Sequence, residues 1–251
     1  MKKTLSFLAA FGLYGLLFYF VYTNALEKTI DFTIYKQYYR VILNGWLTTL
    51  SISAVSLILA LFVGLMLYLM HESRNKVLHY LAEIHKTIIF GTPLVVIAII
   101  AYYYIGNAFN VDSKFWVGSL TLSLYIGAYI ADIYKGAIES IHINQWQTAK
   151  MFGFSRYQTY RYIVFPQVIT TILPPLAGQF AMTIKSSALL AYMSTDEFLN
   201  AIQTVQSISF RYPEGFFIVT VGYLILTIPL ILLVRYLEKK FNYKVTHEFE
   251  A

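Results

Sequence analysis

The chain has 251 residues, of which 58% are hydrophobic and 13% charged, with a mean hydropathy of +0.59. Soluble domains carry roughly 25% charged residues, so the composition excludes an ordinary soluble domain and points to a polytopic membrane protein. The net charge of +6 reads as loop lysines and arginines rather than a nucleic-acid surface, and the lack of cysteine excludes disulfides, iron–sulfur clusters and thiol catalysis.

Crossing the hydrocarbon core takes about 20 apolar residues. Six segments qualify in chain order: 4–22, 45–70, 87–106, 115–134, 169–190 and 215–236. The first has the form of either a signal peptide or a retained helix. Lys2 and Lys3 suit a signal, and Thr23-Asn24-Ala25 loosely resembles a cleavage site. The apolar run 5–22 exceeds the usual 7–15 residues of a signal core, which favours a retained helix. Lysine and arginine then set the orientation. With the N-terminus inside, the inner segments hold Lys2, Lys3, Arg74, Lys76, Lys86, Lys135, Lys150, Arg156, Arg161, Arg235, Lys239, Lys240 and Lys244. The outer segments hold only Lys28, Lys36, Arg40, Lys114 and Arg211, and Lys185 falls within a span. This bias places both ends in the cytoplasm. No internal repeat, low-complexity tract or soluble second domain is evident.

The fourth and fifth spans are separated by a polar, basic stretch, QWQTAKMFGFSRYQTYRYIVFP, at 145–166. Asn144 can cap a first helix, with Gln147 three residues on as a capping-box partner. Gly153 suits the left-handed position that closes such a helix. Ser155 opens a second helix with Gln158 as its box partner. That helix is expected to run to about Phe165, where Pro166 interrupts it. The result is a compact knob with apolar surface from Trp146, Met151, Phe152 and Phe154 and charge from Lys150, Arg156 and Arg161. Exposed aromatics rimmed by charge suit a docking surface. An amphipathic loop lying on lipid headgroups is the alternative.

This stretch resembles the EAA signature of bacterial ABC importer permeases, E-A-A-x3-G-x9-I-x-L-P. Here the line runs Gln147-Thr148-Ala149, Gly153, Ile163 and Phe165-Pro166. Gln147 stands for Glu, Thr148 for the first Ala, and Phe165 for Leu. The resemblance extends over about 41–241 and is to the polar amino-acid (histidine/glutamine) permease branch. Asn44-Gly45-Trp46-Leu47-Thr48-Thr49-Leu50 is similar to the start of that family's core. Gly91-Thr92-Pro93-Leu94 matches its R-G-T-P-L motif, with Phe90 in place of Arg. Ala128-Tyr129-Ile130-Ala131-Asp132-Ile133-Tyr134-Lys135-Gly136 resembles A-Y-x-A-E-I-x-R-G. Ile172-Leu173-Pro174-Pro175, Lys185-Ser186-Ser187-Ala188-Leu189 and Tyr223-Leu224-Ile225-Leu226-Thr227-Ile228-Pro229-Leu230 follow in the family's order.

The resemblance implies an all-α type I ABC importer transmembrane domain, with about six membrane helices: a five-helix core plus an N-terminal helix. It divides the chain into an N-terminal helix and extracellular linker at 1–40, the permease domain at 41–241 and a cytoplasmic tail at 242–251. The 142–166 loop becomes the element that couples to a cytoplasmic ATPase, through Gln147, Ala149, Gly153, Ile163 and Pro166. The implied partners are ABC ATPase subunits, an extracellular or periplasmic substrate-binding protein, a second permease subunit (the same chain or a related one) and membrane lipid, with no nucleic acid. The cargo would be a polar amino acid and the location the bacterial cytoplasmic membrane. The chain has no G-x4-G-K-[ST] phosphate loop, so ATP hydrolysis would belong to the partner and the chain itself is not expected to be an enzyme or to hold a cofactor.

Polar residues inside the spans are costly and invite functional readings. Lys185 either lines the pathway and attracts a carboxylate or snorkels to the headgroups. Asp132 either serves the pathway or pairs with Lys135 at i,i+3. Thr92 offers a hydroxyl, Gly91 and Pro93 shape a helix start, and Ser186 completes the candidate pathway set of Thr92, Asp132, Lys185 and Ser186. Glu139 reads as a solvated charge. Pro166, Pro174 and Pro175 are expected to bend the chain between loop and span, and Pro229 to kink the last helix. Asp196, Glu197 and Arg211 fall in an outer loop at 194–214, either solvated or near a short docking helix that the family places there. The five histidines show no metal-site spacing. An intramembrane enzyme would need converging catalytic groups that the spans do not offer. A non-transporting assembly or sensor protein would use the loop for docking alone.

Overall fold

The computed structural model describes residues 2–25 and 30–248, and every regular element among them is a helix. In chain order these are α1 Lys2–Ala25, α2 Thr33–Gln37, α3 Tyr39–His71, α4 Lys76–Gly91, α5 Leu94–Ile100 running on as a π-wound stretch Ala101–Gly106, α6 Lys114–Glu139, α7 Ile143–Met151, α8 Arg156–Thr159, α9 Phe165–Ser186, α10 Phe198–Ser209 and α11 Tyr212–Glu248. A π turn, Tyr160–Val164, joins α8 to α9, and a 3-10 stretch, Ser187–Met193, closes α9. In a bilayer the backbone must satisfy its own hydrogen bonds, and a helix does so within one segment.

Among the described residues, four helices are long and apolar enough to cross a membrane: Tyr39–His71, Lys114–Glu139, Arg156–Met193 and Tyr212–Lys240. The expected span at 87–106 is not one helix. It is split between α4 and α5, which meet at a bend of 114°. Pro93 has no N–H to continue the ladder and pushes the residue before it into extended backbone. Thr92 accordingly has φ −124°, ψ 131°, and Pro93 itself φ −58°, ψ 137°. Two extended residues in a row turn the corner.

The bundle is built on α3 against α6. Gly64 and Gly127 let the two backbones approach. A Cβ on Gly127 would lie 2.5 Å from Val63 Cγ1, and one on Gly64 2.6 Å from Ile130 Cγ2. Close approach at small residues is the usual way to pack helices where lipid removes the hydrophobic driving force. Ile52, Ala60 and Leu67 of α3 and Leu122, Ile126 and Ile130 of α6 form the core, joined by Leu94 and Ala98 of α5, Leu176 of α9, and Leu190 and Met193.

A second cluster packs Tyr35 of α2 against Phe198, Ile202 and Val205 of α10, with Trp46 and Tyr223 at its edge. The outer segment 194–214 is therefore mostly a packed helix. Glu197 is fully buried rather than solvated. It caps α10, accepting the amide N–H of Leu199 at 2.9 Å and of Asn200 at 2.7 Å. It also accepts the hydroxyls of Thr49 at 3.2 Å and Tyr223 at 2.9 Å, tying α3 and α11 to α10. Burial pushes the carboxyl up from its ordinary value, and these four donors oppose the shift. Arg211 is likewise engaged, 3.5 Å from Asp31 and 3.6 Å from Glu214, while Asp196 is exposed.

Pro174 and Pro175 lie inside α9 and Pro229 inside α11, and both helices run through them.

Candidate functional site: an exposed helical knob and a polar helix face

The knob at 142–166 is two helical arms joined at a glycine. The first arm begins earlier than the sequence suggests. His142, not Asn144, caps α7: its Nδ1 accepts the Asn144 N–H at 3.2 Å. Asn144 is thus inside the first turn, and Gln147 lies too far along to close a box with the cap. The arm ends in a paired-bond closure, with the Gly153 N–H on the Lys150 carbonyl at 3.1 Å and the Phe154 N–H on the Ala149 carbonyl at 3.0 Å. Together these bonds satisfy carbonyls left open by the last turn. They require positive φ at the closing residue, and Gly153 has φ +73°.

The second arm opens on a full capping box. The Gln158 N–H donates to Ser155 Oγ at 3.3 Å, and the Ser155 N–H to Gln158 Oε1 at 2.8 Å. Pro166 does not interrupt this arm. Arg156–Met193 is a single 38-residue helix running from knob to span. The π turn 160–164 is wider than an α turn and gives the Pro166 ring room where it would otherwise press on the carbonyl four residues back. The arm and the span are therefore one continuous helix.

Within the knob, Ala149 is buried at 2% exposure, Ile163 and Pro166 are half-buried, and Gln147 is exposed. Trp146 packs edge-on against Tyr160, with ring centroids 5.4 Å apart, and fixes the two arms to each other. The tip is apolar and bare: Met151 is 86% exposed and Phe152 78%. A 38-residue helix is about 57 Å long, against a hydrocarbon core of about 30 Å. The helix is thus long enough to carry the tip beyond the hydrocarbon core.

The second feature is a face of α9. From residue 166 to 191 the exposed side chains are Thr171, Pro174, Pro175, Gly178 and Lys185. At 100° per residue they fall within about 100° of arc. No large apolar side chain is exposed on this stretch. The contrast with the neighbours is sharp. The outward face of α3 shows Ile58, Phe62, Leu65, Met66 and Leu69, and that of α11 Leu224, Ile225, Ile228, Leu232 and Leu233. Those faces suit lipid; the α9 face does not.

The four candidate pathway residues occupy three places. Asp132 opens into a cleft of about 360 Å³ between α6 and α9, lined also by Gly136, Thr171 and Pro175. Lys185 lies exposed on the same α9 face, some 21 Å further along the helix from Thr171. Ser186 is buried beside it. Thr92 is at the α4–α5 corner and lines no part of the Asp132 cleft.

The i,i+3 pairing of Asp132 with Lys135 does not occur. Asp132 pairs with Lys86 of α4 at 2.5 Å. Lys135 instead lies 3.0 Å from His71 Nε2 and 4.0 Å from Glu139. The reason is geometric: α4 folds back along α6 and carries the half-buried Lys86 to the Asp132 carboxylate. The sequence places Lys86 among the inner-segment cations and gives no sign that it partners Asp132. Sequence reading missed the α9 face, whose signal was the regular spacing of small and polar residues through 171–185.

Comparison with known proteins accords with this architecture. Residues 56–243 match the family described as "Binding-protein-dependent transport system inner membrane component". The chain is 32% identical over 202 residues to the glutamine transport system permease protein GlnP of Escherichia coli (strain K12), covering 79% of this chain and 92% of that one. It is 29% identical over 198 residues, with the same coverage, to the probable glutamine ABC transporter permease protein GlnM of Bacillus subtilis (strain 168). A crystal structure of an amino acid ABC transporter with histidines superposes with a TM-score of 0.77 at 26% identity, over 85% of this chain and all of that one. The MetNI methionine ABC transporter shares the fold, at a TM-score of 0.66 and 15% identity over 80% of this chain and 96% of that one. The chain belongs to the binding-protein-dependent transport system inner membrane components, and is a membrane-spanning permease subunit of a bacterial ABC importer in the cytoplasmic membrane.

Proposed function

We propose that this chain carries a polar amino acid, of the class to which glutamine belongs, across the cytoplasmic membrane. ATP is hydrolysed by a partner ATPase that grips the 142–166 knob. The observation that carries this reading is the α9 face. A face that exposes Thr171, Gly178 and Lys185 with two prolines and no large apolar side chain is poorly suited to lipid and suits water or a facing subunit. The same helix is continuous with the knob, so a displacement of the knob moves the pathway wall directly.

In this reading, Gln147, Ala149, Gly153, Ile163 and Pro166 form the coupling set: Ala149 and Gly153 shape the first arm, Ile163 and Pro166 join the second to the span, and Gln147 is offered outward. Asp132, held by Lys86, and Lys185 line the pathway at separate levels, with Lys185 suited to a cargo carboxylate, while Thr92 and Ser186 support the wall. A second permease subunit closes the channel across the α9 face, and an external binding protein delivers the cargo. Residues 1–40 are an N-terminal addition to the permease domain at 41–241, and 242–251 its tail.

The test is isolation of the tagged chain from native membranes in mild detergent, with identification of what accompanies it. A P-loop ATPase in about equal amount is expected, with hydrolysis that rises when a glutamine-loaded binding protein is added. Recovery of the chain alone, even after crosslinking, would overturn the reading.

A further inference from the structure

The knob has an unusual charge balance. Residues 142–166 contain no Asp or Glu, yet hold Lys150, Arg156 and Arg161. Among the described residues none of these three cations lies within salt-bridge distance of a carboxylate. The neighbouring acids have contacts of their own, Glu139 at 4.0 Å from Lys135 and Glu72 and Glu83 within 4 Å of the His71 ring. Lys150 and Arg156 both line one cleft between the arms, of about 440 Å³, whose other walls are Trp146, Phe154, Thr159 and Tyr160. The aromatic walls lower the local dielectric, which strengthens any ion pair formed inside.

We propose that this cleft receives an acidic side chain of the ATPase subunit, so that the ATPase groove fitting this knob is apolar at its floor, against Met151 and Phe152, and carboxylate-bearing at its rim. The proposal rests on the coupling role given to the knob above. Protein is favoured over anionic lipid because the tip stands at the end of a helix nearly twice the thickness of the hydrocarbon core, and because Met151 and Phe152 beside the cleft need an apolar cover. The exposed Gln147 adds no charge of its own, so the polarity of the contact is set by the two cleft cations.

The experiment uses the full complex. The tagged chain is purified with its ATPase, and retention of the ATPase is followed as sodium chloride is raised. Wild type is expected to lose ATPase steadily with salt, because pairs at a surface are screened over about 8 Å at physiological ionic strength. Lys150→Glu with Arg156→Glu is expected to weaken retention at low salt by about tenfold or more, since like charges then meet across the contact. Lys150→Gln with Arg156→Gln should fall between and show a flatter salt response. Crosslinking from Lys150→Cys identifies the facing ATPase segment, where an Asp or Glu is expected, and replacing that residue by Lys should restore retention to the charge-reversed chain. If wild type holds its ATPase but retention ignores both salt and charge reversal, the proposal fails while the importer reading stands. If charge reversal instead strips co-purifying phosphatidylglycerol and leaves the ATPase in place, the cleft is a lipid site and the proposal also fails. If no ATPase accompanies wild type, the underlying reading falls and the inference with it.

Discussion

Gly153 turns the knob through φ +73°, and nothing stands within 4 Å of where its Cβ would be. A replacement there is penalised by backbone conformation and not by crowding. A left-handed conformation costs an L-residue roughly 1–2 kcal/mol, more for a β-branched side chain and less for Asn. Gly153→Val should therefore leave membrane insertion intact and lower ATP-coupled transport, while Gly153→Asn keeps most of it. Transport and hydrolysis measured side by side on reconstituted protein check this, and equal activity of the two variants would remove Gly153 from the coupling role. This residue was legible in the sequence because a glycine closing a short helix is a local signal, as is the Ser155–Gln158 box. His142 was not, because Asn144 ranks above it as a cap and only the observed backbone distinguishes them. Glu197 was hidden for another reason: its four donors come from α3, α10 and α11, and no local pattern announces a carboxylate that three elements converge to hold.

At the scale of elements, hydropathy and length located the spans at 45–70, 115–134, 169–190 and 215–236, but spacing between helices had to come from the structure. Gly127 and Gly136 are nine residues apart on α6 and look alike in sequence. A Cβ at Gly127 runs into Val63 at 2.5 Å, whereas Gly136 has open space. Replacing glycine by alanine inside a helix gains up to about 1 kcal/mol of helix propensity. At Gly127 that gain is opposed by overpacking of the α3–α6 crossing, which typically costs about 1–3 kcal/mol. Gly127→Ala should lower the melting temperature of the detergent-solubilised chain and Gly136→Ala hold or raise it. Opposite shifts are the expected result, and a drop of equal size at both positions would mean that α6 tolerates no side chain for some reason other than this crossing. The corner at Thr92-Pro93 teaches the reverse lesson. Its signal, a proline within an apolar run, was present in the sequence, but hydropathy averaged over 20 residues hides a break that two extended residues make.

For the whole molecule, the question is which surfaces meet lipid and which meet water or another subunit. The chain contains no cysteine, so single cysteines can be introduced without removing any native one. On the α9 face, Thr171→Cys, Gly178→Cys and Lys185→Cys sit where small and polar side chains are exposed. On α3, Ile58→Cys, Phe62→Cys and Leu65→Cys sit on an equally exposed but apolar face. A thiol reacts as thiolate, which forms readily in water and hardly at all in hydrocarbon. A charged maleimide should label the α9 positions many times faster than the α3 positions in native membranes. Nucleotide should change the α9 rates, because the helix they ride on continues unbroken into the knob, and should leave the α3 rates as they were. An oxidant that joins adjacent thiols should link Gly178→Cys to a cysteine on a second subunit if the channel closes across this face. Comparable labelling of the two faces would show that α9 is turned to lipid, and the continuity of knob and span would then serve something other than a pathway wall.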